Sequence, residues 1–238
     1  MGPGKEEMMT QQALAALGEA DVIVGYTVYL ELLGERFAGK EFLSTPMKQE
    51  AERCRLAFAE AAKGKNVAMV CSGDAGIYGM ASLMFEIKEE LGNEASDTDI
   101  EIIPGITAAS SGAAVLGAPL NHDFCVISLS DLLTPWELIE KRLRAAAVGD
   151  FAIAIYNPSS KKRHDYLKKA CDILLETIEK ERACGYVRSI GRDGEEHHTC
   201  TLEELRETEA DMFTTVFIGN SQSRIIGGRL VTPRGYRL

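Results

Sequence analysis

The chain has 238 residues, of which 45% are hydrophobic, enough to build one large domain or two small ones around a buried core. Its 36 acidic and 26 basic residues give a formal charge of −10, which opposes nonspecific attraction to nucleic acid. No apolar run reaches the roughly 20 residues that span a bilayer, and the N-terminus does not resemble a signal peptide. We therefore expect a soluble cytoplasmic protein that binds neither nucleic acid nor membrane.

Apolar periodicity predicts a parallel α/β layer in the first half of the chain. The predicted helices are 10–20, 48–63 and 82–91, and the predicted strands are 22–24, 67–71 and 100–103. A turn signal at Gly117-Ala118-Pro119 interrupts this pattern and places a domain boundary between residues 1–117 and 118–238. The second half repeats the α/β character, with predicted strands at 125–129, 151–156, 185–189 and 214–218 and predicted helices at 136–147 and 164–181.

The six cysteines are scattered and form no C-x-x-C pair. This spacing is typical of neither a disulfide framework nor an iron–sulfur cluster. We expect most of them to be small core residues.

A glycine-rich acidic loop follows the predicted strand 67–71. Gly73, Gly76 and Gly79 allow ligand contact with bare backbone, but their spacing differs from G-x-G-x-x-G and no G-K-[ST] follows. The carboxylate of Asp74 repels a pyrophosphate and suits ribose hydroxyls or a sulfonium cation, which favours S-adenosylmethionine over a dinucleotide. Alternatively, Asp74 only caps a helix that starts at Ile77. Both interpretations remain open from this loop alone.

A second loop of small residues follows the predicted strand 100–103. It spans residues 104–114, and its hydroxyls at Thr107, Ser110 and Ser111 can cap a helix or bind a ligand. Tight packing of a helix on a sheet is the alternative explanation for so many small side chains. Because ligands of parallel sheets bind at the carboxyl ends of the strands, we expect the two loops to converge on a single methyl donor.

These two loops, together with Gly2-Pro3-Gly4, resemble the tetrapyrrole methylase family of S-adenosylmethionine-dependent enzymes. Segments 21–26, 128–136, 155–160 and 231–236 are similar to the branch of that family that methylates C17 of precorrin-3B, or of its cobalt complex, with ring contraction in cobalamin biosynthesis. The resemblance implies a two-domain fold with a parallel N-terminal sheet and a mixed C-terminal sheet, a tetrapyrrole substrate and a homodimer. Family members place an apolar strand directly before the Gly-Pro-Gly turn, so we expect the first strand to be missing.

The resemblance also implies a set of residues around S-adenosylmethionine, which leaves as S-adenosylhomocysteine, in a cleft between the domains. These residues are Pro3, Ser72, Gly73, Asp74, Ile77, Thr107, Ala108, Asn157, Ser189 and Ile190. The expected loss of the first strand puts the contact of Pro3 in question.

Ring contraction requires a proton to move, so a positioned acid or base should help. Asp131 is our first candidate, with a helix cap before Pro135-Trp136 as its alternative role. His122 and Tyr26 are secondary candidates, and a solvent-facing loop position is the alternative for His122.

The carboxylates of a tetrapyrrole need cationic partners, and Lys161, Arg163 and Arg234 are the candidates. A solvated helix turn is the alternative role for the first two. His197 and His198 are adjacent, so on a strand they point to opposite faces and cannot share one metal ion. We expect no metal held by the protein, although the substrate itself can carry cobalt.

Three functions follow from this reading. The leading one is a C17-methyltransferase of corrin synthesis. The second is a methylase of the same fold that acts on another macrocycle carbon, on RNA or on protein, and the net charge disfavours RNA. The third is a noncatalytic binding protein that keeps the cofactor cradle and has lost turnover.

Overall fold

The computed structural model describes residues 1–160 and 162–237. The chain forms two compact units, residues 1–107 and residue 108 onward. The division therefore falls before the small-residue helix and not at the Gly117-Ala118 turn. The α/β class, the parallel sheet of the first unit and the mixed sheet of the second are confirmed.

The first unit is built on a three-stranded parallel sheet in the order β2-β1-β3. Its strands are β1 (Val22–Tyr26), β2 (Glu41–Thr45) and β3 (Val67–Val70), and its helices are α1 (Gln11–Glu19), α2 (Thr27–Leu30), α3 (Glu50–Ala61) and α4 (Ala81–Leu91). Short 3-10 turns lie at 6–8, 31–33, 35–37 and 92–95. The Thr10 hydroxyl caps α1 by accepting a hydrogen bond from the Ala13 amide at 3.1 Å, as its position before the helix predicts.

The predicted strand at 100–103 is wrong, because this segment belongs to no strand. A cavity of about 560 Å³ is lined both by β3 and by residues 97–103. Three of the four β3 residues are only half-buried, whereas Val22, Ile23 and Val24 in the central strand are fully buried. An apolar sequence becomes a strand only when a neighbour supplies its ladder hydrogen bonds, and the cavity occupies the place of that neighbour.

The second unit contains a five-stranded mixed sheet in the order β5-β6-β9-β7-β8 and a small sheet in the order β10-β11-β4. The strands are β4 (Gly117–Ala118), β5 (Phe124–Ser128), β6 (Ala152–Tyr156), β7 (Ala183–Arg188), β8 (Glu196–Thr201), β9 (Thr214–Ile218), β10 (Arg224–Ile226) and β11 (Arg229–Val231). The helices are α5 (Ala108–Leu116), α6 (Trp136–Val148), α7 (Tyr166–Leu174) and α8 (Leu202–Arg206). Helix α7 is shorter at both ends than the predicted 164–181.

Strand direction in the mixed sheet determines which loops share an edge. β5 is parallel to β6, and both β6 and β7 are antiparallel to β9, which lies between them. β5, β6 and β7 therefore point the same way, and their carboxyl ends lie at one edge of the sheet. In the described part of the chain, no helix is long and apolar enough to cross a membrane.

Candidate active site

Two glycine loops meet at the carboxyl edge of the parallel sheet in the first unit. The loop after β3 is bridged to the N-terminal turn, since the Gly2 amide donates to Gly73 O at 3.0 Å and the Gly73 amide donates to Gly2 O at 2.8 Å. Gly73 has a φ of +70°, which favours glycine at this position. The Met1 amino group donates to Cys71 O at 3.1 Å, and burial lowers the pKa of that amino group.

Asp74 joins this loop to the small-residue loop. Its Oδ1 accepts a hydrogen bond from the Gly76 amide at 2.7 Å, and its Oδ2 accepts one from the Gly105 amide at 2.8 Å. A Cβ atom at position 105 would lie only 2.2 Å from Gly73 O, so the two backbones touch. The structure therefore brings together the two loops that the sequence predicts to converge.

The helix-cap alternative for Asp74 is wrong. No helix begins at Ile77, because α4 begins at Ala81 with Met80 at its N-cap. The carboxylate instead closes a turn onto the amide two residues ahead and links the neighbouring loop. Ile77 and Tyr78, farther along the loop, expose 40% and 57% of their surface, so the loop presents apolar groups beside its backbone.

The small residues of 104–114 serve packing as well as loop contact. Thr107 ends the first unit, and Ala108 begins α5 in the second. Within the second unit, a Cβ atom on Gly112 would lie 2.9 Å from the Phe217 ring, so this glycine lets α5 lie close against β9. The Tyr156 hydroxyl accepts a hydrogen bond from the Ala109 amide at 2.6 Å and caps the first turn of α5. Sequence reasoning missed Tyr156 because its partner lies 47 positions away.

Asn157 and Ser189 follow β6 and β7 at the shared carboxyl edge of the second unit. Both have left-handed backbones, with φ of +52° and +53°. Such conformations cost about 1–3 kcal/mol in residues other than glycine and concentrate at functional sites. Asn157 Nδ2 donates to Ser128 Oγ at 2.9 Å, and the Ser189 amide donates to Phe213 O at 3.1 Å. Ile190 is buried beneath this edge.

Asp131 belongs to a hydrogen-bonded cluster in the second unit. Tyr166 Oη donates to its Oδ2 at 2.6 Å, and Arg163 Nη1 donates to its Oδ1 at 3.2 Å and to Ser130 Oγ at 2.8 Å. The hydrogen bond from Tyr166 and the charge of Arg163 lower the pKa of Asp131, and the same bond raises the pKa of Tyr166. Asp131 is therefore ionised at neutral pH. Its alternative role as a cap is wrong, because Pro135 occupies the N-cap of α6 and no side chain caps that helix.

The remaining candidates are dispersed. His122 lies on an exposed loop and accepts a hydrogen bond from its neighbour's amide, Asp123 N, at 2.9 Å. Tyr26 ends β1 in the first unit, at the edge where the glycine loops lie. Arg234 is exposed near the C-terminus. Lys161 lies outside the described residues.

Pro3 is buried next to the Gly2–Gly73 bridge. Ser72 lies between Cys71 and that same bridge, so both residues border the convergence of the loops. His197 and His198 are consecutive in β8, which confirms that they point to opposite faces. Among the described residues, no group of three or more His, Cys, Asp or Glu side chains is arranged to hold a metal ion.

All six cysteines are free thiols, and four of them are buried while Cys125 and Cys200 are half-buried, so most are core residues as predicted. Burial raises the pKa of Cys54 and of Cys125 to about 11. Burial likewise raises the pKa of Cys171 and of Cys200 to about 12. These thiols are protonated at neutral pH and are not nucleophiles.

Comparison with known proteins decides the family. Residues 1–206 match the family model described as Tetrapyrrole (Corrin/Porphyrin) Methylases. The chain belongs to the tetrapyrrole methylase family. It is 44% identical over 238 residues to the probable cobalt-factor III C(17)-methyltransferase of Salmonella typhimurium, covering 100% of this chain and 98% of that protein. It is 38% identical over 240 residues to the precorrin-3B C(17)-methyltransferase of a Sinorhizobium species, covering 99% of this chain and 94% of that protein.

The fold agrees with the same family. The crystal structure of the methyltransferase CobJ superposes with a TM-score of 0.90 at 42% sequence identity, covering 98% of this chain and 96% of that one. The predicted family and the predicted tetrapyrrole methylase-like α/β fold, with a parallel sheet followed by a mixed sheet, are thus confirmed. The names of these relatives agree with the branch that segments 128–136 and 155–160 resemble.

Proposed function

We propose that this tetrapyrrole methylase transfers a methyl group from S-adenosylmethionine to C17 of precorrin-3B or of its cobalt complex, with corrin ring contraction in cobalamin biosynthesis. The observation that carries the proposal is the junction of the two glycine loops through Asp74 at the carboxyl edge of the parallel sheet. Open parallel α/β sheets bind ligands at this edge.

Gly73, Asp74 and Gly105, where the two loops join, form a cradle whose residues fit the methyl donor. Gly73 and Gly105 bring no side chain between the two loops, which leaves room for a ligand beside their backbones, and Asp74 gives the cradle a negative charge. A negative cradle suits a sulfonium and ribose hydroxyls and repels a pyrophosphate. When bound, S-adenosylmethionine supplies an electrophilic methyl group, so the protein needs no nucleophile of its own.

The chain's contribution is then mainly orientation. Transfer requires the sulfur, the methyl carbon and the attacking carbon to be nearly in line, and holding that geometry can supply much of the rate. The backbone bridges at Gly73 and Gly105 make the cradle rigid before any ligand arrives. Ile77 contributes an exposed apolar side chain for the adenosine or the macrocycle.

The second unit contributes polar groups at a sheet edge of its own. We assign contacts with S-adenosylmethionine to Asn157, Ser189 and Ile190, as the family resemblance implies. Arg163 is the candidate for a tetrapyrrole carboxylate, with one Nη group already held by Ser130 and Asp131. We further propose that the enzyme works as a homodimer in the cytoplasm. Light scattering on the purified protein tests whether it is a dimer.

Turnover with defined substrates tests the proposal. The protein is incubated with S-adenosylmethionine and either precorrin-3B or cobalt-factor III, and the product is followed by mass and optical spectra. We expect one added methyl group, which NMR with a labelled methyl donor locates at C17, and the substrate that reacts identifies the cobalt or the metal-free route. A methyl group on another carbon would replace the proposal with the second candidate function. Binding of S-adenosylhomocysteine with no methylated product from either substrate would indicate a noncatalytic binding protein.

A further inference from the structure

A buried arginine lies where the carboxyl ends of the parallel strands meet in the first unit. Arg53, on the first turn of α3, is only 3% exposed. Its Nη2 donates to Thr45 O at 3.2 Å and to Pro46 O at 3.1 Å, at the end of β2. Its Nη1 lies 3.3 Å from Met80 Sδ, in the loop after β3, and its guanidinium lies 5.8 Å from the centre of the Tyr26 ring, at the end of β1.

The charge of this arginine is not balanced by an acid. Arg53 forms no ion pair with any residue in the described ranges, and its buried Nε has no hydrogen-bond partner there. Arg182, the other arginine buried to a similar degree, is 7% exposed and pairs with Glu179 at 2.6 Å. Burying an unpaired charge costs several kcal/mol, and two backbone carbonyls, a thioether and an aromatic face offset only part of that cost.

We propose that Arg53 is an anion anchor that receives a carboxylate of a bound ligand at this sheet edge. The proposal deepens the proposed function and rests on it for the identity of the ligands. The Nε–H is the donor that has no partner among the described residues, and a carboxylate oxygen can accept a charge-assisted hydrogen bond from it while Nη2 stays on the two backbone carbonyls. The thioether of Met80 is a weak acceptor, so Nη1 is a further donor whose present contact is easily replaced.

Access is consistent with this role. Three of the groups that contact the guanidinium are themselves open to solvent, since Tyr26 and Met80 are half-buried and Pro46 is exposed. The carboxylate can come from the amino-acid end of the methyl donor or from an acetate or propionate of the tetrapyrrole. Both sources present the same chemical group, and the experiment below distinguishes them.

Calorimetry with three ligands tests the anchor. Arg53→Met removes the charge and keeps the length of the stem, and Arg53→Lys keeps the charge without the planar set of guanidinium donors. Arg55→Met is the matched control, because Arg55 lies on the same helix but exposes 40% of its side chain and is ion-paired with Glu90 at 2.7 Å. The ligands are S-adenosylhomocysteine, methylthioadenosine, which lacks the amino-acid carboxylate, and the tetrapyrrole that the enzyme accepts.

If the anchor holds the donor, Arg53→Met weakens S-adenosylhomocysteine binding at least about 10-fold and leaves methylthioadenosine binding unchanged. If it holds the macrocycle, the affinity for the tetrapyrrole falls at least about 10-fold and both nucleosides bind normally. In either case Arg53→Lys recovers only part of the loss, since it lacks the fork of donors. A lower melting temperature with all three affinities unchanged would overturn the proposal and make Arg53 a structural residue.

If the variants fail to fold, binding measurements on the unmodified enzyme test the anchor instead. Methyl esters of the donor's carboxylate and of the tetrapyrrole's carboxylates are compared with the free acids. A loss of affinity below about threefold for every ester would overturn the anchor. These are binding measurements, so a failure of the proposed methyl transfer shows up separately, as bound ligands without methylated product.

Discussion

Replacing Asp74 with asparagine tests whether the two loops are held together by a carboxylate. The side chain keeps its shape, but one acceptor oxygen becomes an NH₂ group that faces the amide of either Gly76 or Gly105. One charge-assisted hydrogen bond is lost, worth about 1.5–3 kcal/mol, and the partial exposure of the loop moves the expectation to the lower half of that range. We expect Asp74→Asn to lower the free energy of unfolding by about 2 kcal/mol.

The assay is urea unfolding followed by circular dichroism, paired with calorimetric titration of the methyl donor and its product. Asp97→Asn is the control, since Asp97 is exposed and its carboxylate accepts a hydrogen bond from the neighbouring Ser96 hydroxyl at 3.3 Å. Equal stability of the Asp74 and Asp97 variants would refute the structural role of the carboxylate. Asp74→Lys adds a positive charge, so it should weaken binding of the cationic S-adenosylmethionine more than binding of the neutral-sulfur product. An equal effect on both ligands would show that Asp74 does not face the sulfonium.

Three further outcomes follow from the contacts. Gly105→Ala should cost about 1–3 kcal/mol of stability in urea unfolding, because its Cβ meets Gly73 O at 2.2 Å, whereas Gly18→Ala in α1, where nothing lies within 4 Å, should gain about 0.5–1 kcal/mol. Tyr166→Phe should lower the free energy of unfolding, by an amount that does not change with pH around neutrality. That difference should shrink as the pH falls through the lowered pKa of Asp131 and as it rises through the raised pKa of Tyr166, which unfolding curves across the pH range would show. Ellman's reagent should spare the four buried thiols for minutes in the native enzyme and label all six after unfolding, and rapid native labelling of more than two thiols would contradict that burial.

The cradle was predictable because its signals are local. Apolar runs at 22–24 and 67–71 indicate buried parallel strands, and glycines mark the turn that follows the second run. Parallel strands end at one edge, which predicts that loops after neighbouring strands lie close in space, and the two loops do meet although segment 100–103 forms no strand. The hydrogen bond from the Gly105 amide to Asp74 could not be predicted from local sequence, because the two residues are 31 positions apart.

The features that sequence missed depend on distant partners. Residues 100–103 have the composition of a strand, but a strand also needs a ladder neighbour, which composition does not report. The tie between Asp131 and Tyr166 joins positions 35 apart. Arg53 looks like any polar residue of an amphipathic helix, and only the ends of three neighbouring segments make it a buried charge.

The state of Asp131 restricts the acid–base chemistry that the second unit can supply. An ionised carboxylate with a hydrogen bond to each oxygen cannot donate a proton, and both of its acceptor positions toward Tyr166 and Arg163 are already used. Its evident action is to hold the guanidinium of Arg163 against Ser130, while Arg163 Nε donates to Ser160 Oγ at 3.2 Å. We therefore assign Asp131 a positioning role, and a proton that moves during ring contraction must be handled by another group or by the substrate itself. This division agrees with the cradle of the first unit, where Asp74 also acts by fixing backbone and not by exchanging protons.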